Sequence, residues 1–524
     1  MARSRSLRDA LLVLVGALCM HLATSFFGVF QPDLFSGDII VNTQVNNHEA
    51  APQNPLPDTH KDIERPLVID TSVADVVDDF AETVIESHAP GWTVFTNLYM
   101  SNGTLFVISS RPSSEFPDIR LITSTGLPAE NTPENIAARM PTAKDIDFIT
   151  PTEARARWGA SLDLAESHRN RVYPIHGSTF LFNDPQQFLD HYYHFCAELL
   201  LGAWAMWQGT HNVQVEPARA DAFDAPPVTR AIFAHTDATG WRDRPGFNSY
   251  FLRAAFPDTT VETQADWQDR VAATAAHGAH ARAWRLERVL LADRSAAFRG
   301  VVCGTQVHRT AGEAFHHMRN LGALPRWWWE PVRRAVLRFA DVPGAAIERG
   351  VRAAMRADQG LPVPAPDERV VVTYVNRQGV RRHLIDADHD ALVAAIEKLC
   401  AERGWEFNDA KAELLSKEQQ LELVARTTVL LGVHGNGLTH LIMMSPTPVS
   451  TVIELFFPGG FAHDYEWTAR ALGHKHFAVW NDTYHTYPDL PWVDYPEGFQ
   501  GTRIPVHAPT VINIIEERVA GRLP

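Results

Sequence analysis

The chain has 524 residues, too many for one ordinary core, so two domains with appendages are expected. Its composition, 45% hydrophobic and 21% charged, is that of a folded protein and excludes a disordered one. Lys and Arg number 47 against 62 Asp and Glu, and the resulting net charge of −15 argues against a nucleic-acid binder while leaving room for local basic pockets.

At the N-terminus, Arg3, Arg5 and Arg8 precede residues 10–30 (ALLVLVGALCMHLATSFFGVF), which contain no charged side chain. About 20 apolar residues span a bilayer as a helix, and arginines on the near side keep that end cytoplasmic. A transmembrane signal-anchor is expected at 10–30 with a tail at 1–9; the alternative is a cleaved signal peptide, whose apolar core is shorter. Either delivers the rest of the chain to the secretory lumen. The expected address is the Golgi or endoplasmic reticulum membrane, as a single-pass type II protein with a lumenal body. Residues 31–65 are polar and proline-spotted and read as a flexible stem. Glycosylation sequons at Asn102 and Asn481 agree with a lumenal body. Cys19, Cys196, Cys303 and Cys400 are too few and scattered for a disulfide scaffold or zinc ribbon, and one bridge among the last three stays open.

Residues 66–357 give mixed signals. Two short strands flank the Asn-Gly turn at 102–103, a buried helix is expected at 188–208, and short interior strands at 229–235 and 287–293. Three tryptophans at 327–329 lead into a basic helix. They suit either stacking on a sugar ring or packing and membrane contact. The proline-rich run 358–368 marks a boundary. Beyond it, strands and helices alternate regularly, as in βαβ units on a parallel sheet, through 366–508, with a closing helix within 509–524.

In that half, LLGVHGNGLTH (430–440) follows a strand and opens a helix. Ligands of parallel sheets sit at such points, where glycine lets backbone approach closely and a helix start offers free N–H groups to a phosphate. His434, Gly435, Asn436, Gly437 and Thr439 would line the cradle; a tight turn with a satisfied histidine is the alternative. Glu454 ends the next strand and suits the paired hydroxyls of a ribose, or else a salt bridge. Arg377, Arg381 and Arg382 follow the first strand of this half and suit phosphate oxygens, or else form a solvated charge run. Upstream, His194 and Glu198 are four apart on one helix face with His191 nearby, so they are either a catalytic pair or a mutually satisfied core pair. The acidic triplets at 145–147 and 386–390 are weak metal signals, the second reading as a helix start. No metal site and no required cofactor are expected; a Mn or Mg ion on a diphosphate remains open.

Taken together, HYYHFCAELL, NRQGVRR, QLELVARTTVLLGVHGNGLTHLIMM and STVIEL resemble glycosyltransferase family 61, most closely its fungal branch, over about 170–520. That family includes β-xylosyltransferases of plant walls and O-linked N-acetylglucosamine transferases of the secretory pathway. The resemblance implies an α/β, GT-B-like architecture of two facing Rossmann-like domains, a nucleotide sugar held mainly by the C-terminal half, and inversion at the anomeric carbon. It carries donor-site roles to Arg377, His434, Gly435, Gly437 and Glu454, and includes His194 in its motif. Asn376 departs from the serine that many members have before the arginine. The expected function is a membrane-anchored transferase that moves xylose or N-acetylglucosamine from a UDP-sugar to a hydroxyl of a glycan or glycoprotein. The alternative is a non-catalytic glycan-binding protein that keeps the fold.

Overall fold

The alternating runs after residue 365 build a six-stranded sheet from β9 (Val371–Val375), β10 (Glu406–Ala410), β11 (Val429–Val433), β12 (Thr451–Leu455), β13 (Lys475–Trp480) and β14 (Thr483–His485); β1 to β8 are given below. The spatial order is β10-β9-β11-β12-β13-β14, parallel except for the final pair. Strands β9, β11 and β12 are buried at every position, which is why they read as unbroken apolar runs rather than alternating ones. Successive side chains still point to opposite faces. Val429, Leu431, Val433, Ile453 and Leu455 enter one core, while Leu430 and Val452 enter another. Local signals set the connecting helices. Ser416 and Gln419 form a capping box for Lys417–Arg426, and Gly404, in the left-handed region at φ 68°, stops Asp386–Arg403.

The computed structural model describes residues 80–160, 170–211, 225–298, 307–365 and 368–523, which belong to one compact unit, Val73–Pro524. The expected anchor, the stem, Cys19 and Cys303 lie outside the described residues. Among the described residues no helix is long and apolar enough to cross a membrane. Cys196 and Cys400 are both free and buried.

The first sheet comprises β1 (Val84–Ala89), β2 (Trp92–Ser101), β3 (Thr104–Ile108), β4 (Ile146–Ile149), β5 (Val172–Pro185), β6 (Val228–His235), β7 (Thr260–Glu262) and β8 (Ala283–Ala292). Its order is β4-β3-β2-β8-β5-β6-β7, with β1 beside β2. The β8-β5-β6-β7 portion is parallel, and β2 joins it antiparallel. The fold is therefore mixed α/β with two sheets rich in parallel strands, as the GT-B-like expectation requires.

Within its parallel portion, each sheet reverses its direction of winding once. From β9 the chain steps to β10 on one side and then returns to β11 on the other. From β5 it runs to β6 and β7 on one side and returns to β8 on the other. The crevices at such reversals, beyond the carboxyl ends of the strands, are where open α/β sheets bind ligands. Arg377 follows β9 and His434 follows β11; Asp184 ends β5 and Arg294 follows β8.

Two helices differ from expectation. The buried helix upstream opens as a π-turn, Tyr193–Leu200, before continuing as α-helix Leu201–His211; the Leu201 N–H donates to the Cys196 carbonyl five residues back. The helix expected near 437–444 is a 3-10 helix, Asn436–Met443. The three tryptophans resolve to packing: Trp327, Trp328 and Trp329 are all buried. Trp329 Nε1 donates to the Ile442 carbonyl at 2.8 Å. Arg333, on helix Glu330–Phe339, donates to the Met443 and Met444 carbonyls at 3.1 and 3.0 Å and also to Ser445 Oγ. These bonds clamp the far end of the 3-10 helix, leaving its glycine-rich start at the crevice.

Candidate active site

The register of β11 and β12 sets Gly432 beside Glu454, and β12 and β13 place Glu454 beside Ala478. With period-two alternation, Glu454 and His476 share a sheet face. The Glu454 carboxylate is fully buried, with one oxygen paired to His434 Nδ1 and the other 2.7 Å from His476 Nε2. Burial, reinforced by Asp464, pushes this carboxyl well above its usual range. Burial, then the Arg382 and Arg377 charges, hold the His434 imidazole well below its own, and burial brings His476 down to about 4. His434 stacks on Phe456 with ring centroids 5.2 Å apart and meets Tyr465 edge-on at 5.6 Å. The pairing of Glu454 with ribose hydroxyls has no free oxygen in this arrangement. Glu454 instead lies under His434 and fixes its ring.

Arg377 Nη1 donates to the His434 carbonyl at 2.8 Å, and this edge of the guanidinium packs against Gly435. A Cβ at 435 would run into that guanidinium, and φ there is 149°, so both space and backbone conformation call for glycine. At 437 a Cβ would come within 2.7 Å of Val375 Cγ1. Asn376 Nδ2 donates to both Asp409 oxygens, at 2.8 and 3.1 Å, tying the end of β9 to β10 just before Arg377. Asn376 Oδ1 in turn accepts the Gln378 N–H at 3.0 Å.

Arg382 is half-buried, and its Nε is buried with no hydrogen-bond partner among the described residues. Burial, then the neighbouring Arg377, bring its guanidinium down to about 10. Two half-buried cations held together, one with an unspent donor, are an arrangement that an anion would relieve. Arg381, by contrast, is exposed.

The upstream pair reaches the same place. Asn436 Oδ1 accepts the Tyr193 N–H and the Thr439 hydroxyl, each at 3.2 Å, and Tyr193 OH donates to the Asp464 carbonyl at 2.8 Å. His194 Nδ1 lies 2.7 Å from Glu198 Oε2. The same oxygen accepts from Arg294 Nη1 at 2.8 Å, and Arg294 Nε donates to Asp184 Oδ2 at 3.0 Å. Burial opposes the Glu198 charge, but His194 and Arg294 outweigh it and hold the carboxyl below its usual range. Asp184 goes the other way: burial exceeds the pull of Arg294 and raises it to about 6. The His194 side chain is 26% exposed against 4% for Glu198, and its Nε2 carries no hydrogen bond among the described residues. This is the geometry of a base oriented from behind by a carboxylate. His191 lies 4.9 Å from His194, and burial brings it down to about 3.

Asp464, absent from the sequence-based candidates, opens helix Asp464–Ala471 between these groups. Its half-buried carboxyl is raised by burial, lowered by His194 and Arg382, and raised again by Glu198, so it stands within electrostatic range of both halves of the site. Arg294 and Asp184 were also missed. Their only trace was a charged residue just past each apolar strand. The acidic triplets are spent elsewhere: Asp145 Oδ2 accepts from Thr142 at 2.8 Å, and Asp388 Oδ2 accepts the Val506 N–H at 3.2 Å. Among the described residues, no three His, Cys, Asp or Glu group as metal ligands. A small, largely apolar cavity along β9 and β11, lined by Leu415, Leu423, Val424, Leu430 and His440, has none of the arginines on its wall.

The fold and site define a mixed α/β protein with a cationic, glycine-walled crevice at one sheet's reversal and a His–Glu–Arg–Asp chain at the other's. The sequence matches the family model Glycosyltransferase 61 over residues 192–453, half of the chain. The protein belongs to that family. It is also similar to the EGF domain-specific O-linked N-acetylglucosamine transferase of Drosophila melanogaster, 30% identical over 84 residues, 16% of this chain. That match spans only 15% of the fly protein's length.

Proposed function

We propose that this protein is an inverting glycosyltransferase that moves a sugar, xylose or N-acetylglucosamine, from a UDP-sugar to a hydroxyl of a glycan or glycoprotein. The observation that carries the reading is the convergence, across Asn436–Tyr193, of the Arg377/Arg382/His434 crevice with the His194–Glu198 pair. The two sheets then act as donor-side and acceptor-side halves of a GT-B-like enzyme, divided near 358–368. Residues 10–30 would hold it, lumenal side inward, in a Golgi or endoplasmic reticulum membrane, with 31–65 as stem.

In this reading the diphosphate lies against Arg377 and Arg382 and the start of helix Asn436–Met443, whose first N–H groups have no partners within the helix. His434, fixed by Glu454, presents its outer edge to the donor. The acceptor oxygen attacks the anomeric carbon as the bond from that carbon to the phosphate oxygen breaks. His194 Nε2 takes the acceptor's proton, Glu198 and Arg294 hold the ring in place, and the arginines stabilise the departing charge. In this reading two guanidinium groups face the diphosphate and carry its charge.

The test is turnover of UDP-xylose and UDP-N-acetylglucosamine by the full chain in detergent, with and without saccharide acceptors. His194→Ala is expected to lower kcat by about 10²–10⁴-fold while UDP affinity, read by calorimetry, stays at wild type. Wild-type protein that binds UDP but neither transfers nor hydrolyses the donor would favour the non-catalytic glycan binder. His194→Ala with unchanged kcat would remove that residue from the chemistry.

A further inference from the structure

The chain holds 14 tryptophans, and all but one are buried or half-buried. The exception is Trp492, 93% exposed, with Tyr495 and Tyr487 about half exposed in the same loop. A large exposed aromatic surface is the informative departure from ordinary burial. Here the loop that carries it is firmly attached. Asp494 exchanges two backbone hydrogen bonds with Phe461, at 3.0 and 3.1 Å, three residues before Asp464. Pro488, Pro491 and Pro496 brace the chain, and the Phe499 N–H donates to the Pro496 carbonyl at 3.0 Å.

The loop is also continuous with the site. The Tyr495 ring meets Phe499 edge-on at 5.0 Å, and Phe499 lies 5.3 Å from the His434 ring. Asp464 is within electrostatic range of the Tyr495 phenol. Between His476 and Thr502 there is no Lys or Arg, and Asp489, Asp494 and Glu497 are all exposed. The nearby cations lie at the Tyr487 end, Arg470 over its ring at 4.3 Å and Lys475 3.4 Å from its carbonyl. An acidic rim repels an anionic membrane surface. It accepts hydrogen bonds from neutral hydroxyls, and an aromatic face packs against the C–H face of a sugar ring.

Resting on the transferase reading, we propose that Trp492 and Tyr495 form the acceptor subsite, a stacking platform for a neutral pyranose ring, with the exposed carboxylates of the loop meeting its hydroxyls. The platform leads the acceptor chain toward Asp464 and His194. Because Trp492 packs on so little, its removal leaves the fold intact, which makes the test clean.

Saturation-transfer NMR of the full chain in detergent with methyl β-glycosides of xylose, mannose, galactose and N-acetylglucosamine should show ring-proton contacts that are lost in Trp492→Ala and partly kept in Trp492→Phe. In transfer assays with the same glycosides, Trp492→Ala should raise acceptor KM about five- to tenfold. UDP affinity and melting temperature should stay at wild type. Glycoside contacts absent from the wild type, or unchanged in Trp492→Ala, would overturn the platform. So would a Trp492→Ala variant that loses affinity for neutral phosphatidylcholine vesicles but keeps its glycoside contacts. Failure of the transferase reading is separate, because it shows as loss of UDP binding and turnover, whatever the glycosides do.

Discussion

His440 and Glu454 show how a single residue's meaning depends on what surrounds it. Glu454 was legible as a carboxylate at a strand end. Its two imidazole partners were not, because His476 becomes its neighbour only through the register of β12 and β13. Gly435 was legible as bare backbone, but its reason, the edge of the Arg377 guanidinium meeting it from the end of another strand, is not local in the sequence. His440 passed unnoticed. It is buried, with Nε2 2.9 Å from Gln420 Oε1, and burial brings it down to about 4. In the unfolded chain an imidazole titrates near about 6.5. Between the two values the unfolded chain binds a proton that the folded chain refuses. The stability His440 contributes is therefore complete above about pH 6.5 and is lost as pH falls toward 4. In urea unfolding, the stability advantage of wild type over His440→Gln should shrink by about 2–3 kcal/mol between about pH 7.5 and 4.5. A constant difference would mean that His440 is not held neutral.

At the scale of elements, the strands after residue 365 were readable because parallel buried strands are continuous apolar runs, whereas the long strand β5 of the first sheet, whose first residues are largely exposed, was not. Nor was helix type. Periodicity cannot separate a π-turn from an α-turn over eight residues, and residues four apart share a face in both, so the His194–Glu198 pairing survived the difference. The tryptophan run was ambiguous in sequence because the same rings suit a sugar, a membrane or a core. The neighbouring Arg333 decides it, reaching the carbonyls of Met443 and Met444 at the end of the 3-10 helix while paired with Glu330 at 3.0 Å. Removing Arg333 takes from buried Glu330 the nearer of its two arginine partners, leaving Arg334 at 3.3 Å, and takes a donor from the Met443 and Met444 carbonyls. Arg333→Ala is expected to cost about 3–5 kcal/mol in chemical denaturation. A loss below about 1 kcal/mol would show that the clamp is dispensable.

At the scale of the molecule, the feature that organises the site is that the parallel portion of each sheet reverses direction once, and each of these reversals carries charged residues. Arg377 and His434 stand at one, Asp184 and Arg294 at the other. Sequence alone pointed to the first crevice, because its glycines and arginines are a local pattern. The second is made of residues 110 positions apart, Asp184 and Arg294, and is visible only when β8 returns beside β5. The central claim is that the first crevice holds a nucleoside diphosphate through its buried, unpaired Arg382 donor. Isothermal titration of UDP into the full chain in detergent tests it most directly, comparing wild type with Arg382→Ala. Wild type should bind one UDP, and Arg382→Ala should bind at least about tenfold more weakly, since a hydrogen bond to a charged group is lost. Equal affinity in the two proteins, or no UDP binding by the wild type, would contradict the account.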